Sequence, residues 1–413
     1  MRHLYVHAPF CARRCSYCDF AVHVARTPPV EAWLDAVEAE VRLTFEARGW
    51  ERPQRLDTLY VGGGTPSLLG AGAMPRLAER LSAYFDLSGL VEWTAEANPE
   101  SIDAALARDW REAGIRRVSL GVQTFHEPAL RWMGRLHGAD GGRRALEAVR
   151  AGGIDDVSVD LIFALPERLG RDWAADLAAA AELEPTHVSL YGLTAEAGAH
   201  LGRRVAEGRE TMADDDAYAR EYRLAADTLG ARGFEHYEVS NFARPGRRSR
   251  HNTAYWVGAD YVGVGPGAHS FVGGERWWNE RDWNAWSRTL SDGRLAIVDS
   301  ERLTDEQARL ERIWLGLRHD GGFAGPLGAR QATLLDSWRA RDLLASREPV
   351  RLAVGGWLLL DQLAVELDAT YDAPTPTFAA ALDAPAALRD LRAPDRPRGD
   401  DAVSGSWKPE AGR

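Results

Sequence analysis

The run His7-Ala8-Pro9-Phe10-Cys11-Ala12-Arg13-Arg14-Cys15-Ser16-Tyr17-Cys18-Asp19-Phe20 holds every cysteine of a 413-residue chain. An odd number cannot pair off into disulfides, and three thiols packed into one short loop read as metal ligation. Three thiolates hold three corners of a [4Fe–4S] cube and leave the fourth iron without a protein ligand, open to an exchangeable molecule. The competing reading is structural zinc, which asks for four ligands, commonly from a second Cys pair. The chain has no second pair, so His7 or His23 would have to complete that site. Three inert core thiols are a further alternative, but packing alone does not ask for a spacing of three and then two residues.

Working outward from the loop, strands and helices alternate. Short β-rich runs fall at 4–8, 56–61, 92–97, 117–123, 157–163 and 188–193. Each is followed by helical periodicity, at 30–48, 73–84, 102–113, 141–151, 172–183 and 214–232. That order predicts βαβ units on a parallel sheet. Six units are too few for a closed eight-stranded barrel, so the fold class is α/β, a partial (β/α)6 barrel over residues 1–233.

Chemistry-bearing residues sit where such a sheet puts ligands, at the C-terminal strand ends. Gly62-Gly63-Gly64-Thr65-Pro66 follows the second run. Its glycines allow close backbone approach to a ligand, or simply a tight strand-to-helix turn. Glu96, Gln123 and Asp160 lie at or near the ends of the next three runs. Asp160, alone in Val-Ser-Val-Asp-Leu-Ile-Phe, needs a buried partner. His251-Asn252-Thr253-Ala254-Tyr255-Trp256 offers an imidazole and a phenol that can ligate haem iron and an indole that can stack on a macrocycle. In isolation the structural reading is favoured, a loop with His251 as a cap and Trp256 in the core. Trp277, Trp278, Trp283 and Trp286, among 15 Trp in the chain, read as core first and porphyrin platform second.

The C-x-x-x-C-x-x-C spacing, with Leu4-Tyr5-Val6-His7 before it and Asp19-Phe20 after it, resembles the radical S-adenosylmethionine (SAM) superfamily. The run His-Ala-Pro-Phe-Cys is similar to the branch of coproporphyrinogen dehydrogenases and haem chaperones, over roughly residues 3–370. The resemblance implies that Cys11, Cys15 and Cys18 hold the cluster and that SAM chelates the open iron. It implies SAM contacts at Gly63, Gly64, Thr65, Glu96, Gln123 and Asp160, with Arg135 facing the SAM carboxylate and Tyr5, Tyr17 and Gly192 lining the pocket. It ties His251, Tyr255 and Trp256 to haem.

Two functions follow, from different classes. A dehydrogenase would cleave SAM reductively and abstract hydrogen from the propionate side chains of coproporphyrinogen III. A chaperone would carry haem to a respiratory apoprotein, membrane-associated or not. The dehydrogenases carry a further Cys where this chain has Phe20, and a segment ahead of the first strand where this chain has Met1 and Arg2. The chain therefore reads as a chaperone before it reads as an enzyme.

Composition agrees with both. Net charge is −11, which argues against general affinity for nucleic acid. No signal peptide or membrane-length apolar run is present, so the expectation is cytoplasmic. A homodimer is left open. Residues 234–300 read as a region covering the barrel, and 301–372 as a small winged-helix-like α/β domain of helix, helix and a hairpin near Gly355-Gly356. The Pro- and Ala-rich tail, 373–413, reads as disordered.

Overall fold

Along the first six long strands most of the residues on one face are polar, and that alternation shapes the molecule. In the computed structural model, which describes residues 1–371, these strands are β1 (His3–Ala8), β2 (Thr58–Gly63), β3 (Glu92–Ala97), β4 (Arg117–Gln123), β5 (Asp156–Phe163) and β6 (His187–Gly192). The expected disordered tail lies outside the described residues. Successive side chains of a strand point to opposite faces. Leu4, Val6, Leu59, Val61, Val118, Leu120, Val157, Val159, Val188 and Leu190 are all fully or nearly fully buried on one face. Burying each contributes roughly 1.5–3 kcal/mol. His3, Tyr5, His7, Thr58, Tyr60, Glu92, Glu96, Arg117, Ser119, Ser158, Asp160, His187 and Ser189 fall on the other. Parallel strands covered by helices on both faces are usually apolar throughout. Here one face curves round a polar interior.

Helices cover the apolar face: α1 (Val30–Arg48), α2 (Ala73–Leu81), α3 (Ala104–Ala113), α5 (Gly141–Ala151), α6 (Trp173–Glu182) and α8 (Asp215–Ala231), whereas α4 (Glu127–Met133) and α7 (His200–Ala206) pack in a separate small cluster beside the cysteine loop. Asp103, Asp172 and Asp214 cap α3, α6 and α8, each accepting a hydrogen bond from the backbone N–H three residues on. This satisfies donors that a helix start leaves orphaned.

The stretch after Gly233 extends the same sheet at both ends. The order is β7-β8-β6-β5-β4-β3-β2-β1-β9-β10-β11-β12, with β7 (Glu235–Glu238), β8 (Asn241–Ala243), β9 (Tyr261–Val264), β10 (His269–Val272), β11 (Glu275–Asn279) and β12 (Ile297–Arg302). Strand β9 runs parallel to β1, with Leu4 opposite Val262. The sequence reading made 234–300 a cover; a four-residue strand containing Gly263 carries too little pattern to register as a sheet member. Helix α9 (Arg250–Trp256) joins β8 to β9, and α10 (Trp283–Ser291) packs on α1. Trp277, Trp283 and Trp286 are buried, as core packing requires.

The C-terminal part is α11 (Asp305–Leu317), α12 (Ala329–Ala340), an antiparallel hairpin of β13 (Leu344–Arg347) and β14 (Val350–Leu352), then α13 (Val354–Trp357) and α14 (Leu360–Asp368). The hairpin precedes the Gly355-Gly356 pair, which is helical. A β-carbon on Gly356 would run into the carbonyl of Leu343, so this glycine serves close packing and not a turn.

Candidate functional site

The cysteine loop leaves β1 at Ala8 and is tied down along its length. His23 N–H donates to Pro9 O at 2.7 Å, Ala25 N–H to Cys11 O at 3.0 Å, and Ser16 N–H to Met133 O at 3.0 Å. The glycine run at the end of β2 lies against it. Gly63 has φ of 108°, and a β-carbon there would strike the His7 imidazole. One on Gly64 would sit 2.7 Å from the carbonyl oxygen of Phe10. The glycines therefore let β2 approach the base of the cysteine loop, a use of close approach that needs no ligand.

Each sulfur faces a donor. Thr65 Oγ1 donates to Cys11 Sγ at 3.5 Å, Arg135 Nη1 lies 3.7 Å from Cys15 Sγ, and Phe20 N–H donates to Cys18 Sγ at 3.4 Å. Burial holds Cys11 up at about 11 and raises Cys18, so these two stay protonated as bare thiols. Metal ligation is what turns such groups into thiolates. Among the described residues no three His, Cys, Asp or Glu side chains converge on a single ion. His7, offered above as a zinc ligand, has both ring nitrogens engaged, to Tyr5 Oη at 2.9 Å and Ala21 O at 2.8 Å. A cube with a separate iron under each sulfur asks for neither convergence nor a histidine.

Arg135 is the cation of the site. It donates to Asn98 Oδ1 at 2.8 Å and Gly121 O at 2.6 Å, while its buried Nε has no partner among the described residues. An orphaned guanidinium donor beside Cys15 fits a carboxylate. Tyr17 lies against Arg135 and Cys15. Gln123 ends β4 at a register shift with φ of 71°, a left-handed conformation that turns the chain out of the sheet.

Deeper in the polar interior, Glu96 accepts from Tyr60 Oη at 2.8 Å and Gly63 N–H at 2.9 Å. Burial pushes its carboxyl up to about 7. Asp160 has the partners its position demands: Ser119 Oγ at 2.9 Å and Ser158 Oγ at 3.0 Å. Tyr5 stacks on Tyr60, with centroids 6.0 Å apart. Gly192 stands apart from this group. It ends β6 on the outer face, where a β-carbon would collide with the Tyr218 phenol.

The His251 run does not join the strand-end group. Helix α9 closes the opposite, N-terminal end of the strands. Glu92, at the start of β3, accepts from the backbone N–H of Arg250 at 2.8 Å and of His251 at 3.0 Å. His251 is buried; its Nδ1 bonds Thr58 Oγ1 at 2.7 Å and its Nε2 bonds Tyr255 Oη at 2.8 Å. Neither ring nitrogen is free for iron in this geometry. Trp256 faces elsewhere, under the guanidinium of Arg318 at 4.7 Å. Sequence reasoning missed Tyr60, which stacks on His251 at 5.1 Å and bonds Glu96, linking the two ends of the interior. Its signal was the period-two polar face of β2. It also missed Arg318, which no motif marks.

The three-thiol loop beneath a partial parallel barrel defines a class, the radical SAM proteins, and the model of the Radical SAM superfamily matches residues 5–179. The chain is 37% identical over 345 residues to "Heme chaperone HemW" of Mycobacterium tuberculosis, covering 83% of this chain and 88% of that one. It is 32% identical to the protein of that name from Bacillus subtilis, covering 78% and 85%. The chain belongs to the HemW family of radical SAM proteins. In fold it matches coproporphyrinogen III oxidase (HemN) of Escherichia coli, a radical SAM enzyme, with a TM-score of 0.72 and 21% identity over 90% of this chain and 91% of that one.

Proposed function

We propose that this protein binds haem and delivers it to a haem-accepting respiratory apoprotein in the cytoplasm or at the membrane surface. The observation that carries the reading is the extent of likeness to the heme chaperones, which runs well past the radical SAM core. Cys11, Cys15 and Cys18 hold a [4Fe–4S] cluster, and SAM occupies its open iron. When bound, that pair would supply one-electron chemistry. Arg135 takes the SAM carboxylate through its free Nε, and Thr65 and Asn98 fix the loop against it. Gly63, Gly64, Glu96, Gln123, Asp160, Tyr5 and Tyr17 shape the pocket, with Glu96 and Asp160 as hydrogen-bond acceptors.

His251 and Tyr255 serve haem from behind. They lock α9 onto the sheet, and α9 presents Trp256. Direct iron ligation by His251 would displace one of its two buried hydrogen bonds and leave that partner unsatisfied, at a cost of about 1–3 kcal/mol. Phe20, where the dehydrogenases have a fourth Cys, supports the chaperone over the coproporphyrinogen reading. Among the described residues no helix is long and apolar enough to cross a membrane. Titration of haem into the anaerobically reconstituted protein tests the proposal: a saturable, shifted Soret band is expected, and its absence would overturn it.

A further inference from the structure

A line of buried polar groups outside every sequence motif leads to Asp160, and it starts at α9. Ser249, whose side chain caps that helix, donates its backbone N–H to Tyr237 Oη at 3.2 Å. Tyr237, on β7, lies 2.8 Å from His187 Nε2. His187, at the start of β6, stands with Nδ1 2.8 Å from Ser158 Oγ, and Ser158 donates to Asp160 Oδ1 at 3.0 Å. The sheet register builds the last two steps. Ser158 sits opposite His187, and Asp160 is two residues further along β5, on the same face. Ser158, His187, Tyr237 and Ser249 are all buried, so each satisfies its hydrogen bonds from its neighbours in the line.

The hydrogens in this line run one way when Asp160 is ionised. Ser158 has a single hydroxyl hydrogen, and it goes to the carboxylate. Toward His187 it can then only accept, so Nδ1 carries the ring proton. Burial pushes the imidazole far below its ordinary range, so it is neutral and Nε2 is bare. Nε2 therefore accepts from the Tyr237 phenol, which burial keeps protonated. The phenol oxygen accepts in turn from Ser249 N–H, a donor that cannot reverse. The other tautomer would turn Nε2–H on the phenol, leave the phenol hydrogen without an acceptor among the described residues, and draw the Ser158 hydrogen away from Asp160. Ser119 and Ser189 add hydroxyls of their own to this carboxylate. Burial pushes the Asp160 carboxyl up, so every donor it holds counts toward keeping it ionised.

We propose that His187 and Tyr237 are positioning residues of the SAM pocket: they fix the direction of this hydrogen-bond line and so hold Asp160 as an ionised acceptor. The inference rests on the proposed place of Asp160 in that pocket and adds what orients it. It also ties α9 to SAM, because the line begins at the cap of that helix.

The test is calorimetric titration of SAM into the full-length, anaerobically reconstituted protein, with iron–sulfur content and thermal melting as fold checks. Asp160→Asn, which cannot be an ionised acceptor, should weaken SAM and sets the scale. Tyr237→Phe and Ser158→Ala break the line at opposite ends, and each should weaken SAM about two- to tenfold, the value of one neutral hydrogen bond. The two together should cost SAM affinity no more than Ser158→Ala alone, whereas two independent packing defects would add. His187→Phe should lose affinity. His187→Asn, whose amide N–H stands where Nδ1–H stands, should recover part of it, and this pair decides the matter if Tyr237→Phe loses its cluster. Unchanged SAM affinity in Tyr237→Phe and His187→Phe beside a weakened Asp160→Asn, or additive losses, would overturn the positioning role and leave the pocket intact. Absence of SAM binding by the wild type, or full affinity in Asp160→Asn, would overturn the pocket reading and the inference with it.

Discussion

At the scale of single residues, space and charge set the site, and two substitutions probe them. Gly63 combines a left-handed backbone with a β-carbon position already filled by the His7 ring. Gly72 is also left-handed, φ 76°, but faces open space. Gly63→Ala should therefore cost clearly more than the roughly 1 kcal/mol of backbone strain expected for Gly72→Ala. It should also lower retained iron, because His7 and the loop it steadies must shift. Equal thermal melting shifts for the two variants would contradict this. Arg135→Ala should weaken SAM about ten- to a hundredfold by calorimetry, corresponding to roughly 1.5–3 kcal/mol, while cluster iron is kept. Unchanged SAM affinity would remove Arg135 from the pocket. The cysteines and glycines were legible because their chemistry is tied to short spacing. The free nitrogen of Arg135 and the double engagement of His251 were not, since hydrogen-bond partners far apart in the chain leave no local trace.

At the scale of elements, strands β3 and β4 and helices α1 and α5 were readable to the residue, because their apolar periodicity is clean and Gly49 and Gly152 close the two helices. The seventh parallel strand, β9, was not, and neither was the helix carrying His251; both are short and owe their conformation to partners already in place. One such partner is Glu40 on α1, which ties α1 to β9, β11 and α10. It accepts from Gly265 N–H at 2.8 Å, from Trp286 Nε1 at 3.1 Å and from Asn279 Nδ2. Burial raises its carboxyl from 4.5 to about 8. Between those values the folded chain keeps a proton that the unfolded chain has released, so stability falls as pH rises. The contribution is complete below about 4.5 and is lost as pH climbs through about 8. Glu40→Gln removes this titration. Its melting temperature should gain on the wild type steadily from acid to mildly alkaline pH, and parallel pH profiles would refute the coupling.

At the scale of the whole molecule, the polar face of the sheet joins two places. It carries the cysteine loop, Arg135, Glu96 and Asp160 at one end and is closed by His251 at the other. Sequence reading found the motifs at both ends because each is contiguous. The hydrogen bonds between them, from Ser158 to His187 and from His187 to Tyr237, join residues far apart in the chain and become visible only when it is folded. A scaffold shared with HemN shows the fold and leaves the reaction open. The central claim is that this chain carries haem and does not convert coproporphyrinogen. Anaerobically reconstituted protein, supplied with SAM and reductant, should be offered haem in one vessel and coproporphyrinogen III in another. The expected result is saturable haem binding with a shifted Soret band and no protoporphyrinogen. Multiple turnovers of coproporphyrinogen III without measurable haem binding would contradict it.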